Sequence, residues 1–280
     1  MKYFFGIDIT EDEENEICDG ERYVAARVDN ELGERIEEAA ALAQKADELC
    51  RVSPAPRKMG QTCLIFAVVW GLLLIFGLVR GTAELNSPPM IVTAAMVAIS
   101  AVAGVLLLRR AAKISKKTPE QEEAVKQANG SFARVIADSA RQLGVPENCP
   151  DTDVLNSVYS VKNGAPEIYS VMGTKIHMSY PRKVFVAGGD LCISDIRKLY
   201  RIPVSALGEL ETVREKTGLG FWNKERSFRS PEYAQYNIRA SRGVLVTDSH
   251  VRLTATLDGE DYVLLFPPYE KENLEKMLGR

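Results

Sequence analysis

Two stretches without a single Asp, Glu, Lys or Arg, Thr62–Val79 and Pro88–Leu108, interrupt an otherwise mixed pattern, and a short polar loop, Arg80–Asn86, joins them. At about 1.5 Å of rise per residue, each matches the roughly 30 Å of hydrocarbon that a membrane helix must cross. A helix of a soluble protein normally keeps one polar face, whereas these are apolar on every side. The pattern therefore predicts two transmembrane helices.

Small residues recur along both spans: Ala67, Gly71, Gly77 and Gly81 on the first, then Ala94, Ala98, Ser100 and Gly104 on the second. Such spacings let helix backbones approach closely in lipid. The short loop favours pairing within one chain, and self-association of two copies is the alternative. Neither span holds an ionisable side chain of the kind that carriers and pumps use. An anchor fits better than a transporter, and Trp70, lying mid-span, is assigned to packing or lipid contact.

Helices are expected on both sides of the spans. In residues 31–50 the apolar positions Leu32, Ile36, Ala39, Ala43, Ala46 and Cys50 fall three and four apart, and Pro54 and Pro56 end the helix. In residues 118–144, Thr118 is an N-cap, Pro119 the first helical position and Gln121 the residue that closes a capping box. Gly144 and Pro146 stop this second helix, whose seam reads Val125, Ala128, Phe132, Ile136, Ser139 and Leu143. The hairpin between them places both helices on one side, so they are expected to pair as an antiparallel stalk. Docking of a partner helix on either seam is the alternative.

Residues 1–30 carry two strand-like runs, Tyr3–Ile9 and Tyr23–Val28, around an acidic connection that predicts a small β hairpin. The acidic run Glu11–Glu16 lacks the alternating ligands and terminal Glu of a calcium loop and reads as a solvated turn. From Pro150 the chain turns to short β-rich pieces punctuated by Gly188-Gly189-Asp190 and Asp258-Gly259-Glu260. Strands are expected at 157–162, 175–179, 183–187, 191–194, 199–202, 210–213, 236–240, 244–247, 251–257 and 262–266. A short helix, Glu270–Leu278, closes the chain. The fold class is α+β: a transmembrane hairpin, a helical stalk and a β domain over 150–280.

Charge gives this plan a direction. Arg51, Arg57 and Lys58 precede the first span and Arg109, Arg110, Lys113, Lys116 and Lys117 follow the second, while the loop offers Arg80 against Glu84. The positive-inside rule then places both termini in the cytoplasm of a two-span cell-membrane protein. The acidic segment ahead of the first span lacks a signal-peptide core, so that span is expected to act as the insertion signal. Cys18, Cys50, Cys63, Cys149 and Cys192 form no CxxC pair and read as reduced thiols. A formal net charge of -3 over 280 residues, with no basic patch beyond the spans' flanks, argues against nucleic acid as a partner.

The pieces KVFVAGGDLCISD, KLYRIPVSALGELETV and GVLVTDSHVRLTATLDGEDYVLLFPPYEKENLEKML, about residues 180–279, run from antiparallel strands into one closing helix. In that order they resemble bacterial pleckstrin-homology-like domains, which are often joined to membrane spans. The resemblance implies a half-open sandwich or barrel whose open corner is closed by the helix. It implies lipid, peptide or protein binding and brings no catalytic motif. The strands before Lys183 exceed what that family needs.

Little points to chemistry. His177 and His250 lie at no metal-ligand spacing. No GxSxG, P-loop or HExxH is present, and Gly188-Gly189 lacks the strand-to-helix setting of a phosphate cradle. No enzyme, metal or cofactor is expected. The segment Lys216–Tyr236 is distinctive, because Phe221, Trp222, Phe228, Tyr233 and Tyr236 are interleaved with Lys216, Lys224, Arg226 and Arg229. Aromatic and cationic side chains together suit a bilayer headgroup region, which makes Lys216, Phe221, Trp222, Lys224, Arg226 and Arg229 candidate membrane or partner contacts. In the competing reading the aromatics fold back over the sheet edge. The expected role is a non-enzymatic binding or scaffolding module on a lipid bilayer, with a protein partner or self-association through the spans. An accessory subunit of a transport or secretion complex is the alternative.

Overall fold

The structure is a computed structural model, which describes residues 2–9, 15–17, 19–51, 55–80, 87–114, 118–162, 165–171, 173–221, 233, 235–241 and 243–280. The chain forms two compact units, Met1–Glu34 with Val135–Arg280, and Arg35–Arg134.

Four long helices run through the first half: α1 (Asn30–Cys50), α2 (Ala55–Val79), α3 (Pro88–Ile114) and α4 (Pro119–Gln142). The α1 N-terminus is fixed by Asp29, whose side chain accepts the Leu32 N–H at 2.8 Å, as an N-terminal cap does. At α4 the expected capping box forms, with the Gln121 N–H donating to Thr118 Oγ1 and the Thr118 N–H to Gln121 Oε1. Gly144, at φ 69°, ends that helix, and the Val145 N–H returns to the Ala140 carbonyl. Two side-chain contacts set α1 and α4 antiparallel: Gln121 Nε2 donates to the Leu49 carbonyl, and Gln142 pairs with Asp29.

On α1 the expected seam is the buried one, through Leu32, Ile36, Ala39 and Ala46. On α4 it is rotated. Ala128, Val135, Ser139 and Leu143 are buried, while Phe132 and Ile136 are 38% and 41% exposed. The sheet domain sets this face: Ser139 Oγ donates to the Ile196 carbonyl, and Leu143 packs with Cys149, Phe185, Cys192 and Leu199.

By length and composition α2 and α3 can each cross a membrane. They pack on each other where Gly60 and Gly104 meet; a Cβ on Gly104 would lie 2.8 Å from Leu64 Cγ and 3.1 Å from the Gly60 carbonyl. Ala67 shares that buried face, whereas Ala94 and Ala98 point away from it and are exposed. Ile65, Val68, Leu72 and Ile75 on α2 and Ile91, Ile99, Val102 and Leu106 on α3 are all more than half exposed.

The described strands are β1 (Lys2–Tyr3), β2 (Gly6–Asp8), β3 (Asn15–Ile17), β4 (Val24–Arg27), β5 (Asp151–Lys162), β6 (Ala165–Ile168), β7 (Ser170–Val171) and β8 (Thr174–Ala187), followed by β9 (Asp190–Ser194), β10 (Lys198–Pro203), β11 (Leu207–Val213), β12 (Thr217–Phe221), β13 (Arg239–Ser241), β14 (Val244–Thr247), β15 (His250–Leu257) and β16 (Glu260–Phe266). The main path runs β11-β15-β16-β5-β8-β12-β14-β13, and β9, β10 and β4 branch from β8 in turn. Among the described strands this sheet is mostly antiparallel and is not closed on itself. The β8–β9 and β15–β16 hairpins turn at the expected places, with Gly188, Gly189, Asp258 and Gly259 all at positive φ, as two-residue hairpin loops require. A helix α5 (Lys271–Leu278) follows β16 and buries Leu274 in the core with Val184, Ile193, Leu253 and Phe266.

The N-terminal runs Tyr3–Ile9 and Tyr23–Val28 do not pair with each other. β2 pairs with β3 and lies parallel to β5, β1 lies parallel to β16, and β4 pairs with β10. A parallel neighbour needs a long crossover connection, which here comprises all four long helices. Phe4 and Phe5 sit at the centre of the core, edge-on to Tyr200, with Phe4 also against Tyr23 and Tyr262. The β domain is therefore built from both ends of the chain, not from residues 150–280 alone.

Candidate functional site

At the start of β5, Asp151 and Asp153 lie two apart and so share one face of the strand. Leu155 continues that face into a small cluster with Leu219, Val263 and Leu265. After β16 the extended Pro267 leads into a helical turn at Pro268–Glu270, which brings Tyr269 and Glu270 beside the two aspartates. Asn273 follows one helical turn after Glu270, and Tyr233, Gln235 and Tyr236 arrive ahead of β13. These eight residues line a cavity of about 410 Å³.

Its polar groups are ordered by one another. Asp153 is 5% exposed and Glu270 6%. Glu270 Oε1 accepts the Asp153 backbone N–H at 2.9 Å, and Glu270 Oε2 accepts from Asn273 Nδ2 at 3.0 Å. Asp153 Oδ2 accepts the Tyr269 hydroxyl at 2.6 Å. Asp151, at the rim, pairs with Lys183 Nζ at 3.0 Å. The rings of Tyr233 and Tyr236 stand edge to face on Tyr269, with centroids 5.2 and 6.1 Å away. Carboxylates and aromatic rings thus share the described lining.

A second polar cluster is sealed. The rings of His177 and His250 lie 6.4 Å apart, their Nδ1 atoms bonded to Ser157 Oγ and Thr217 Oγ1. Thr217 gives its single hydroxyl proton to the Glu215 carbonyl, so His250 Nδ1 is the donor to Thr217. Burial, helped by His250 and Lys175, holds the His177 pKa down to about 3, and burial also lowers that of His250. Ser157 and His177 are a hydroxyl and a neutral imidazole in contact, and both side chains are buried.

Among the candidate contacts, Lys216 is exposed just before β12, and the Phe221 backbone ends β12 opposite Val244. Lys216 is not among the described residues that line the cavity. Trp222, Lys224, Arg226 and Arg229 lie outside the described residues, as do Cys18 and Glu11, Asp12, Glu13 and Glu14 of the acidic run. Tyr233 and Tyr236, from the same aromatic segment, fold onto Tyr269. Residues 217–221 prove to be a strand whose glycines permit close packing. A Cβ on Gly218 would sit 2.8 Å from Ile176 Cδ1. Sequence patterning does not single out the carboxylates or Tyr269: Asp151 and Asp153 precede the strand expected at 157–162, which in the structure begins at Asp151, and Pro267-Pro268 reads only as the lead into the closing helix.

Among the described residues no three His, Cys, Asp or Glu side chains are placed to hold a metal ion. Cys50, Cys63, Cys149 and Cys192 are free thiols, and burial raises the pKa values of Cys149 and Cys192. Compared with protein-family models, with curated proteins and with solved structures, the chain gives no match.

Proposed function

We propose that this is a two-span membrane protein with both termini in the cytoplasm, whose β domain is a non-catalytic binding or scaffolding module of pleckstrin-homology-like character. The observation that carries the membrane reading is the exposure of Ile65, Leu72, Ile75, Ile99, Val102 and Leu106 around α2 and α3, an apolar surface too large for water to tolerate. The topology rests on the excess of cations on the outer flanks of the two spans, against the single Arg80 in the loop between them. The binding role rests on the cavity, which has ordered polar groups, while the contact between Ser157 and His177 is buried elsewhere.

Alkaline extraction of membranes from cells expressing the full chain tests the location. The protein is expected to stay in the pellet, and recovery in the supernatant sinks the membrane reading. A membrane-impermeant maleimide is expected to label S87C in intact cells and to leave E147C unlabelled; the reverse labelling overturns the topology. A second reading, an accessory subunit of a larger membrane complex, draws on Ala94 and Ala98, which are small residues on the exposed side of α3. Cross-linking from A98C in native membranes separates the two, since a discrete heterologous partner supports the subunit and self-contact or none supports the stand-alone module.

A further inference from the structure

Resting on the reading of α2 and α3 as membrane spans, we propose that the end of this helix pair where α2 begins and α3 finishes binds the headgroup of an anionic phospholipid. The contacts between the helices fix which residues are neighbours there. A Cβ on Gly60 would lie 3.0 Å from Leu108 Cγ, and one on Gly71 would lie 3.8 Å from Val97 Cγ1, so the helices run antiparallel. Arg57 and Lys58 lie within one turn of Gly60, and Arg109 and Arg110 directly follow Leu108. Four cations, two from each helix, thus reach one level of the pair, and all four residues are exposed. Among the described residues no carboxylate pairs with any of them. The stretches that continue the helices past this level, 51–54 and 113–117, bring Arg51, Lys113, Lys116 and Lys117 and no Asp or Glu. The acids nearest along the chain, Glu48 and Glu120, belong to α1 and α4.

The surface beside these cations commits the site to a lipid and not to a free phosphate. Val102 and Leu106 on α3 are more than half exposed. Val102, Leu106 and Arg110 follow one another at spacings of four, and Arg109 lies three from Leu106, so an open apolar stripe ends in two guanidinium groups. Met59, beside Lys58 on α2, is likewise exposed. An acyl chain along the stripe sets its phosphate at the level of the arginines, whose planar forks can hold phosphate oxygens in pairs. A zwitterionic headgroup carries its own ammonium against the phosphate and gains less from these four charges than a headgroup with a net negative charge.

The test uses the purified full chain in phosphatidylcholine vesicles that carry a trace of phosphatidylglycerol or of phosphatidylcholine, each spin-labelled on an acyl chain. Electron spin resonance reads the fraction of each probe that the protein immobilises. Phosphatidylglycerol is expected to associate more strongly by at least about threefold, and less so as salt is raised. The double variants R57Q/K58Q and R109Q/R110Q are each expected to lower that ratio toward one while the phosphatidylcholine fraction stays as it is, with circular dichroism reporting intact helices. K126Q, which removes an exposed cation of α4, is expected to leave the ratio unchanged. Equal immobilisation of the two lipids by the wild type, or a ratio indifferent to both double variants, overturns the proposal. Loss of the preference on adding inorganic phosphate at constant ionic strength overturns the lipid as occupant and assigns the cations to free phosphate. Immobilisation of neither lipid refutes the membrane reading as well, whereas equal immobilisation refutes the headgroup site alone, so the two failures are told apart.

Discussion

His177 and His250 are the only histidines in the chain, well separated along it, and the fold brings them together in a place that water does not reach. Both are neutral in the folded protein at pH 7, and their pKa values lie below the ordinary 6.5. Below that value the unfolded chain takes up protons that the folded one refuses, so stability is full above pH 6.5 and declines as the pH falls toward about 3, where His177 titrates. Each proton contributes a slope approaching about 1.4 kcal/mol per pH unit. Lys175 and Arg252 oppose protonation of His250 and Glu215 favours it. The melting temperature is expected to drop between pH 7.5 and pH 5, and to drop less in H177Q, whose amide keeps a partner for Ser157 but takes no proton. A wild-type melting temperature that is flat over this range contradicts the assignment.

Local rules decided the ends of the helices. Thr118, Pro119 and Gln121 define a start, and Gly144 a stop, through bonds confined to a few neighbouring residues. They did not decide which face of a helix is buried. Phe132 and Ile136 fit the spacing of a seam, yet Val135 takes the buried position because α4 also packs on the sheet through Ser139 and Leu143. Likewise the small residues of the two spans were legible, but only packing separates Gly104, at the α2–α3 contact, from Ala94 and Ala98, outside it. G104V is expected to destabilise the helix pair by about 1–3 kcal/mol through overpacking, whereas A98V leaves it unchanged. Thermal unfolding in detergent checks this, and greater damage from A98V would place the tight face on the other side of α3. Strand β12 escaped the sequence pattern for a related reason: Gly218 and Gly220 lower its intrinsic strand preference, and their value lies in contacts with Ile176 and Met178 on β8.

The largest departure concerns the whole molecule. Phe4 and Phe5 look like part of a terminal hairpin and instead lie at the heart of the β domain, ringed by Tyr23, Tyr200 and Tyr262. Gly20 makes room for this, since a Cβ there would overlap the Phe4 ring, and its N–H bonds to the Phe4 carbonyl. The fragment Pro150–Arg280 therefore lacks β1, β2 and β4 together with the centre of its core. It is expected to lose cooperative unfolding, and F4A in the full chain to cost about 3–5 kcal/mol. A fragment that melts sharply and binds as the full chain does would show that the N-terminal strands are dispensable.

By itself the sequence determined the two apolar spans, the ends of α1 and α4, most strands of the second half and the hairpin turns, because each depends on periodicity, caps and turn residues among near neighbours in the chain. Only the tertiary structure decided that β1 to β4 complete the sheet, that the two histidines meet, and that Asp151 and Asp153 share a cavity with Tyr269 and Glu270. These contacts join positions far apart in the chain, and local spacing carries no signal of a partner that only the folded sheet brings alongside.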